Sequence, residues 1–138
     1  MTLARSVKNE CGGNWGGAKR ALSLVERALT DFAASFDALG ERHEEERAAV
    51  AQVAHNRIDA ACCVLKEEGG EGFDAEAVTE PARRFVGDVE GYALGAPYSV
   101  EGAALLALAK TDALLYEAWR FVPYRFRPEP CPTPSEVV

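Results

Sequence analysis

Apolar residues recur along the chain at helical spacing, and no stretch shows the alternation of polar and apolar residues that marks a strand. The most regular stretch lies between residues 18 and 39, where steps of four and three residues alternate. Its apolar positions are Ala18, Leu22, Val25, Leu29, Phe32, Phe36 and Leu39. A period of about 3.5 residues is typical of a helix that packs lengthwise against another helix. Gly40 follows directly and predicts the end of this helix.

A second helix is predicted from about residue 44 to residue 67. Its buried face would be formed by Val50, Val53, Ala54, Ile58, Ala61, Cys62 and Leu65. The charged stretch 41–47 places no apolar residue on the extrapolated face of the first helix. The simplest arrangement is therefore an antiparallel hairpin over residues 18–67 that turns near residues 40–43. One continuous helix of about fifty residues is the alternative.

A third helix is expected from about residue 80 to residue 94, with Asp74 or Thr79 as its cap and Pro81 in its first turn. Its inward positions would be Ala82, Phe85, Val86, Val89 and Tyr92. Three glycines recur along it at every fourth residue, namely Gly87, Gly91 and Gly95. Because helical glycine is unfavourable by up to about 1 kcal/mol, close approach to another backbone is the simplest explanation, and a frayed helix is the alternative.

A fourth helix is expected over residues 100–122, capped by Ser99. It is apolar on almost all sides, which predicts a position at the centre of a bundle. The sequence thus predicts an all-α, four-helix-bundle-like single domain over residues 18–122. A loose, glycine-rich arm would precede it at residues 1–17, and an extended, proline-rich tail would follow at residues 123–138.

Composition narrows the classes of function. The 138 residues are 48% hydrophobic and 27% charged, which excludes a mostly disordered chain. The net charge of −7 argues against nucleic acid as a partner. Charges near the N-terminus interrupt the apolar core that a signal peptide needs, and no apolar run approaches the ~18 residues of a membrane span. We therefore expect a cytoplasmic protein without a membrane segment.

The cysteines and histidines do not predict a metal site or another cofactor. Cys11, Cys62, Cys63 and Cys131 form no pair with two intervening residues, and only two histidines accompany them. The Glu-x-x-His pairs of di-iron bundles do not occur either. Reduced thiols are the simplest interpretation, with Cys62 as a small core residue.

Asp112 is the most informative polar residue, because helical winding places it on the apolar face of the fourth helix. A carboxylate in that position must be paired, hydrogen-bonded or protonated. The structural explanation is an ion pair with Arg57, Arg83 or Arg84 from another helix. The functional explanation is a general acid or base in a cleft.

His55 precedes Cys62 by seven residues on the same edge of the second helix. A cysteine within reach of a histidine can form a thiolate nucleophile, although seven residues separate the two by about 10 Å along a helix. A small helical enzyme or ligand-binding bundle would need Asp112, His55 and Tyr116 to converge on a pocket.

The tail alternates aromatic and basic residues at Tyr124, Arg125, Phe126 and Arg127. This pattern fits a short segment that docks on a partner protein, and it equally fits a strap that packs on its own bundle. Together with Trp15, these four residues are the candidate partner-binding residues.

The sequence favours a small acidic protein–protein interaction module that acts by binding rather than catalysis. Adaptors, inhibitors or immunity proteins and assembly subunits all belong to this class, and the enzyme or ligand-binding bundle is the alternative. We also predict a homodimer, because seven apolar positions on the first helix exceed what a short hairpin partner must cover.

Overall fold

The chain folds into four α-helices in a computed structural model that describes residues 6–9, 15–39, 44–90 and 99–122. The helices are α1 (Trp15–Leu39), α2 (Glu44–Gly69), α3 (Ala75–Glu90) and α4 (Val100–Trp119). No strand occurs within the described ranges. The predicted all-α class and four-helix architecture are therefore confirmed.

The first two helices form an antiparallel hairpin rather than one continuous helix. Near the start of α1, Arg20 pairs with Glu68 at the end of α2 at 3.2 Å. Further along the hairpin, Asp31 of α1 pairs with Arg57 of α2 at 2.7 Å. From the first pair to the second, the residue number rises along α1 and falls along α2, as an antiparallel arrangement requires.

The third and fourth helices continue this up-and-down order. Ion pairs join α2 to α3 at Lys66–Glu76 (2.8 Å) and Asp59–Arg83 (3.0 Å). The helix α4 packs against both α3 and α1. Its last turns lie beside the first turn of α1, where Tyr116 stacks on Trp15 with ring centroids 5.4 Å apart. Each helix therefore runs antiparallel to the helices beside it.

The first helix contacts all three of the others: it packs against α2 and α4 and also reaches α3 across the core. That diagonal contact is the edge-to-face pair of Phe32 and Phe85, with ring centroids 5.7 Å apart. The buried side chains of α1 are Ala18, Ala21, Leu22, Val25, Ala28, Leu29, Phe32 and Ala33. The predicted apolar positions are thus buried from Ala18 to Phe32, Phe36 is half-buried, and the side chain of Leu39 lies outside the described residues.

The expectation that the fourth helix lies at the centre is wrong. One side of α4 is buried against its neighbours, but several of its leucines face outward. An apolar residue on every side of a helix gives no preferred direction, so packing against α1 and α3 decided which side was covered.

The first helix begins at Trp15, three residues earlier than predicted, and it includes two glycines that the sequence assigned to a loose arm. The reason is close packing at Gly17. A Cβ built on Gly17 would lie 2.5 Å from Cγ of Glu68 in α2, so only glycine lets the two helix ends approach this closely. Val7, also in the predicted arm, is fully buried.

The second helix differs most from its predicted burial at two positions. Val53 is 48% exposed and borders a groove between α1 and α2 that Ala34 and Ser35 also line. Arg47, from the charged stretch 41–47, is buried with its guanidinium 5.6 Å from the ring centre of Phe36.

The third helix begins at Ala75, so Asp74 rather than Thr79 precedes it. The Asp74 carboxylate accepts a hydrogen bond from the backbone N–H of Ala77 at 3.1 Å. Pro81 lies inside the helix rather than in its first turn. Just before α3, Gly70 and Gly72 adopt positive φ angles of 80° and 87°, which ends α2 and reverses the chain.

The glycine repeat of the third helix does not mark a close helix–helix contact at its first position. A Cβ built on Gly87 would meet nothing within 4 Å, and the residue is exposed. Gly91, Gly95 and the inward position Tyr92 lie outside the described residues. The other predicted inward positions of this helix are buried.

The fourth helix begins as predicted, because the Ser99 hydroxyl accepts a hydrogen bond from the backbone N–H of Gly102 at 2.9 Å. It ends at Trp119, and residues 120–122 continue as a turn. Within the residues that the structure describes, no helix is long and apolar enough to span a membrane.

Replacing Gly87 with alanine should raise the free energy of unfolding by roughly 0.5–1 kcal/mol, because the new methyl group meets open space in a helix. Gly17→Ala is the matched control, and it should lower the same quantity by about 1–3 kcal/mol through its clash with Glu68. Urea denaturation of both variants measures the difference. Equal effects of the two substitutions would contradict the packing described at Gly17.

Candidate functional site

The carboxylate of Asp112 is fully buried and is held by the N-terminal segment of residues 6–9. The backbone N–H of Ser6 donates to Oδ2 at 3.2 Å, and the Ser6 hydroxyl donates to the same oxygen at 3.0 Å. The backbone N–H of Val7 donates to Oδ1 at 3.0 Å. Both carboxylate oxygens therefore have hydrogen-bond donors, and the segment is fixed onto α4.

The expected ion pair between Asp112 and an arginine is wrong. Arg57 pairs with Asp31 of α1, Arg83 pairs with Asp59 of α2, and Arg84 pairs with Glu80 one turn earlier in α3. Two of the three donors to Asp112 are peptide N–H groups, which every residue except proline carries, and the third is the Ser6 hydroxyl. No side-chain pattern in the sequence could have identified them.

The candidate catalytic residues do not share a cavity among those we describe. His55 and Cys62 lie on α2, whereas Asp112 and Tyr116 lie on α4, and these two helices are the diagonal pair with the least contact. None of these four residues lines the cavities at the α3–α4, α1–α2 and α1–α4 junctions or the cavity beside Arg20. These cavities therefore do not bring Asp112, His55 and Tyr116 together.

Cys62 takes part in a polar cluster between α2 and α3. Its thiol lies 3.6 Å from Oε2 of Glu76, which also accepts a hydrogen bond from Lys66 at 2.8 Å. The Lys66 ammonium lowers the pKa of Glu76, with a further contribution from Arg83. The cluster joins α2, which carries Cys62 and Lys66, to α3, which carries Glu76, and the Cys62 side chain is buried.

Within the described ranges, no three metal-ligating side chains come together.

Large exposed hydrophobic side chains are concentrated on α4 and the turn that follows it. Leu106 is 54% exposed, Leu114 is 44% exposed and Phe121 is 78% exposed. Leu105 is also exposed, beside the groove between α1 and α4. Val53 on α2 is the only other large hydrophobic residue exposed to this degree in the described part of the chain.

Three of these residues share one side of α4 with two charged ones. We call this surface the outer face of α4, and it comprises Leu106, Lys110, Ala113, Leu114, Glu117 and Phe121. Wound at 100° per residue, these positions fall within an arc of about 100°. The backbone N–H of Phe121 donates to the carbonyl of Ala118 at 3.3 Å, so the helical turn continues to this residue.

A groove of about 430 Å³ between α3 and α4 adjoins the outer face. Pro81 and Phe85 of α3 and Ala103, Leu106 and Ala107 of α4 supply its apolar lining, beside four charged residues. We did not predict the outer face as a site from the sequence. Its signal was present in the apolar character of α4 on all sides, which we interpreted as burial.

The predicted partner-binding residues fall into two groups. Tyr124, Arg125, Phe126 and Arg127 lie outside the described residues. Trp15 is half-buried, and its ring stacks on Tyr116 at an interplanar angle of 27°. Trp15 therefore makes an intramolecular contact between α1 and α4.

Comparisons of the chain with protein-family models, with curated proteins and with solved structures gave no match.

Replacing Asp112 with asparagine should lower the free energy of unfolding by about 2–4 kcal/mol, because one acceptor oxygen becomes an NH2 group that faces the buried hydrogen-bond donors of Ser6 or Val7. Ser6→Ala removes only the hydroxyl and should lower it by about 1 kcal/mol. In the double variant the effects should be less than additive, because both act on the same contact. Urea denaturation measures all three variants, and Glu90→Gln, a change at an exposed residue, is the control. If Asp112→Asn lowered the free energy of unfolding no more than this control, the hydrogen bonds from Ser6 and Val7 to Asp112 would not stabilise the fold.

The cluster at Glu76 predicts a pH-dependent contribution to stability. Because the pKa of Glu76 is lowered in the folded protein, its stabilising contribution is present above the pKa in the unfolded chain and is lost as the pH falls through the folded pKa. The difference in unfolding free energy between wild type and Glu76→Gln should therefore shrink from neutral pH to about pH 3. Exposed Glu71→Gln serves as the control, and a pH-independent difference for Glu76→Gln would contradict this role.

Proposed function

We propose that the chain is a protein–protein interaction module that acts by binding through the outer face of α4. The observation that carries this proposal is the concentration of exposed leucine and phenylalanine side chains on one helix of an otherwise well-buried bundle. Single exposed leucines are ordinary on protein surfaces, but several on one side of one helix mark a surface that a partner covers.

The chemistry of the outer face defines the kind of partner. A row of apolar side chains at helical spacing is complementary to another amphipathic helix, whose own apolar residues would fill the spaces between them. Lys110 and Glu117 lie within the row and would fix the register of that partner through opposite charges. The adjoining groove between α3 and α4 offers a recess for a protruding side chain.

The position of α4 in the bundle supports binding at this face. The opposite side of α4 is buried against its neighbours and carries Asp112, whose carboxylate ties down the N-terminal segment. The helix is therefore held rigidly from behind while its outer face stays open. A pre-ordered surface loses little conformational entropy when a partner binds.

Site-specific photocrosslinking tests this proposal. A photoreactive amino acid in place of Leu114 should give covalent adducts with protein in the native host, because this position lies in the middle of the outer face. The same amino acid in place of Val53 is the matched control, since Val53 has similar exposure on a different helix. The adducts from position 114 should disappear when Leu106 and Phe121 are replaced by aspartate.

The proposal allows the adduct to contain either a second copy of the chain or another protein. No adduct from position 114, or equal adducts from positions 114 and 53, would contradict it. Adducts that persist after both aspartate substitutions would also contradict it, because the contact would then not depend on the apolar row.

A further inference from the structure

We infer that the partner of the outer face is the same face of a second copy, packed as an antiparallel helix pair about a two-fold axis. This inference rests on the proposed function and names the occupant of the surface. In a two-fold interface the same patch of each copy contacts the other. When the two helices are antiparallel, each residue faces the residue that lies equally far from the axis on its other side, and these two residues must be complementary. The outer face of α4 meets this condition.

The complementarity appears when the two-fold axis passes between Ala113 and Leu114. Leu106 and Phe121 are equidistant from that axis along the helix, so Leu106 faces the partner's Phe121. Lys110 and Glu117 are also equidistant from it, so Lys110 faces the partner's Glu117. The two-fold axis therefore places apolar residues against apolar residues and opposite charges against each other, and its symmetry produces each of these contacts twice.

The two charges cannot satisfy one another within a single chain. They are seven residues apart on α4, which separates them by about 10 Å along the helix. Within the described residues, Lys110 has no ion pair, and Glu117 pairs only with Arg120 at 3.4 Å, where both side chains are at least half exposed. Both groups are thus available for the partner's opposite charge.

The most exposed hydrophobic residue also meets a recess in this arrangement. Leu106 lines the groove of about 430 Å³ between α3 and α4, together with Pro81, Phe85 and Ala103. Because the partner's Phe121 faces Leu106, its ring is placed at the mouth of this groove. The partner's ring would cover apolar surface that the chain leaves open, and the same contact repeats across the axis.

The structure also changes the basis for the predicted homodimer. We expected the apolar seam of α1 to provide the interface, but α2, α3 and α4 cover that seam within one chain. The outer face of α4 remains. A contact made by one helix from each copy falls at or below about 1,200 Å², so we expect a reversible dimer of modest affinity.

Charge exchange on the full-length chain tests this arrangement. Sedimentation velocity should show a concentration-dependent dimer for the wild type. Lys110→Glu and Glu117→Lys should each raise the dissociation constant roughly tenfold or more, because two symmetry-related pairs become repulsive together. The double variant should restore the wild-type value, and Glu71→Lys, an exposed change of the same charge outside the face, should leave it unaltered.

Three outcomes would overturn the inference. The first is a chain that stays monomeric at concentrations up to about 1 mM. The second is a double variant that dimerises no better than the single variants, and the third is photocrosslinks from position 114 that reach only the chain's own tail or another protein. Crosslinks to another protein would leave the proposed function standing while removing the second copy as its partner. The circular dichroism spectrum of each variant should match that of the wild type, which shows that the loss of the dimer is not caused by unfolding.

Discussion

The structure depends on the buried face of α1, which contacts all three of the other helices. The alanine, leucine, valine and phenylalanine side chains of this face lie within one half of the helix circumference and form much of the core together with α2, α3 and α4. The opposite half of α1 carries exposed residues such as Arg27 and Asp31. The helix α4 also gives one side to this core, and because its other side is apolar as well, several of its leucines stay exposed.

The buried carboxylate of Asp112 links this core to the start of the described chain. Taking a carboxylate out of water is strongly unfavourable unless donors replace the lost hydration. Ser6 and Val7 supply three such donors, and Val7 is fully buried as the segment closes over α4. Residues 6–9 thus form an integral part of the bundle, and the carboxylate has a structural task that accounts for its position.

The proposed function lies on the side of α4 that this packing leaves open. Local sequence produces the apolar row, while the bundle decides that the row faces outward. The alternation of Leu106, Lys110, Glu117 and Phe121 about a central point is a property of the helix alone, but these residues are open to a partner only because α1, α3 and the N-terminal segment occupy the other side. The proposed binding through this face would account for exposed side chains that the fold of one chain leaves unexplained.

The sequence by itself determined the elements of this protein. The period of the first helix, the pairing of the first two helices as a hairpin and the cap at Ser99 depend on residues close together in the chain, so local rules predicted them, and they offered Asp74 as one of two candidate caps for α3. Only the tertiary structure decided which side of α4 was buried, why Gly17 belongs to a helix, and what satisfies Asp112. The Gly17 and Asp112 contacts join residues distant in sequence, at Glu68 and at the backbone of Ser6 and Val7. The sequence does not reveal these contacts, because every residue except proline carries a peptide N–H and because a close approach at a glycine depends on which helices become neighbours.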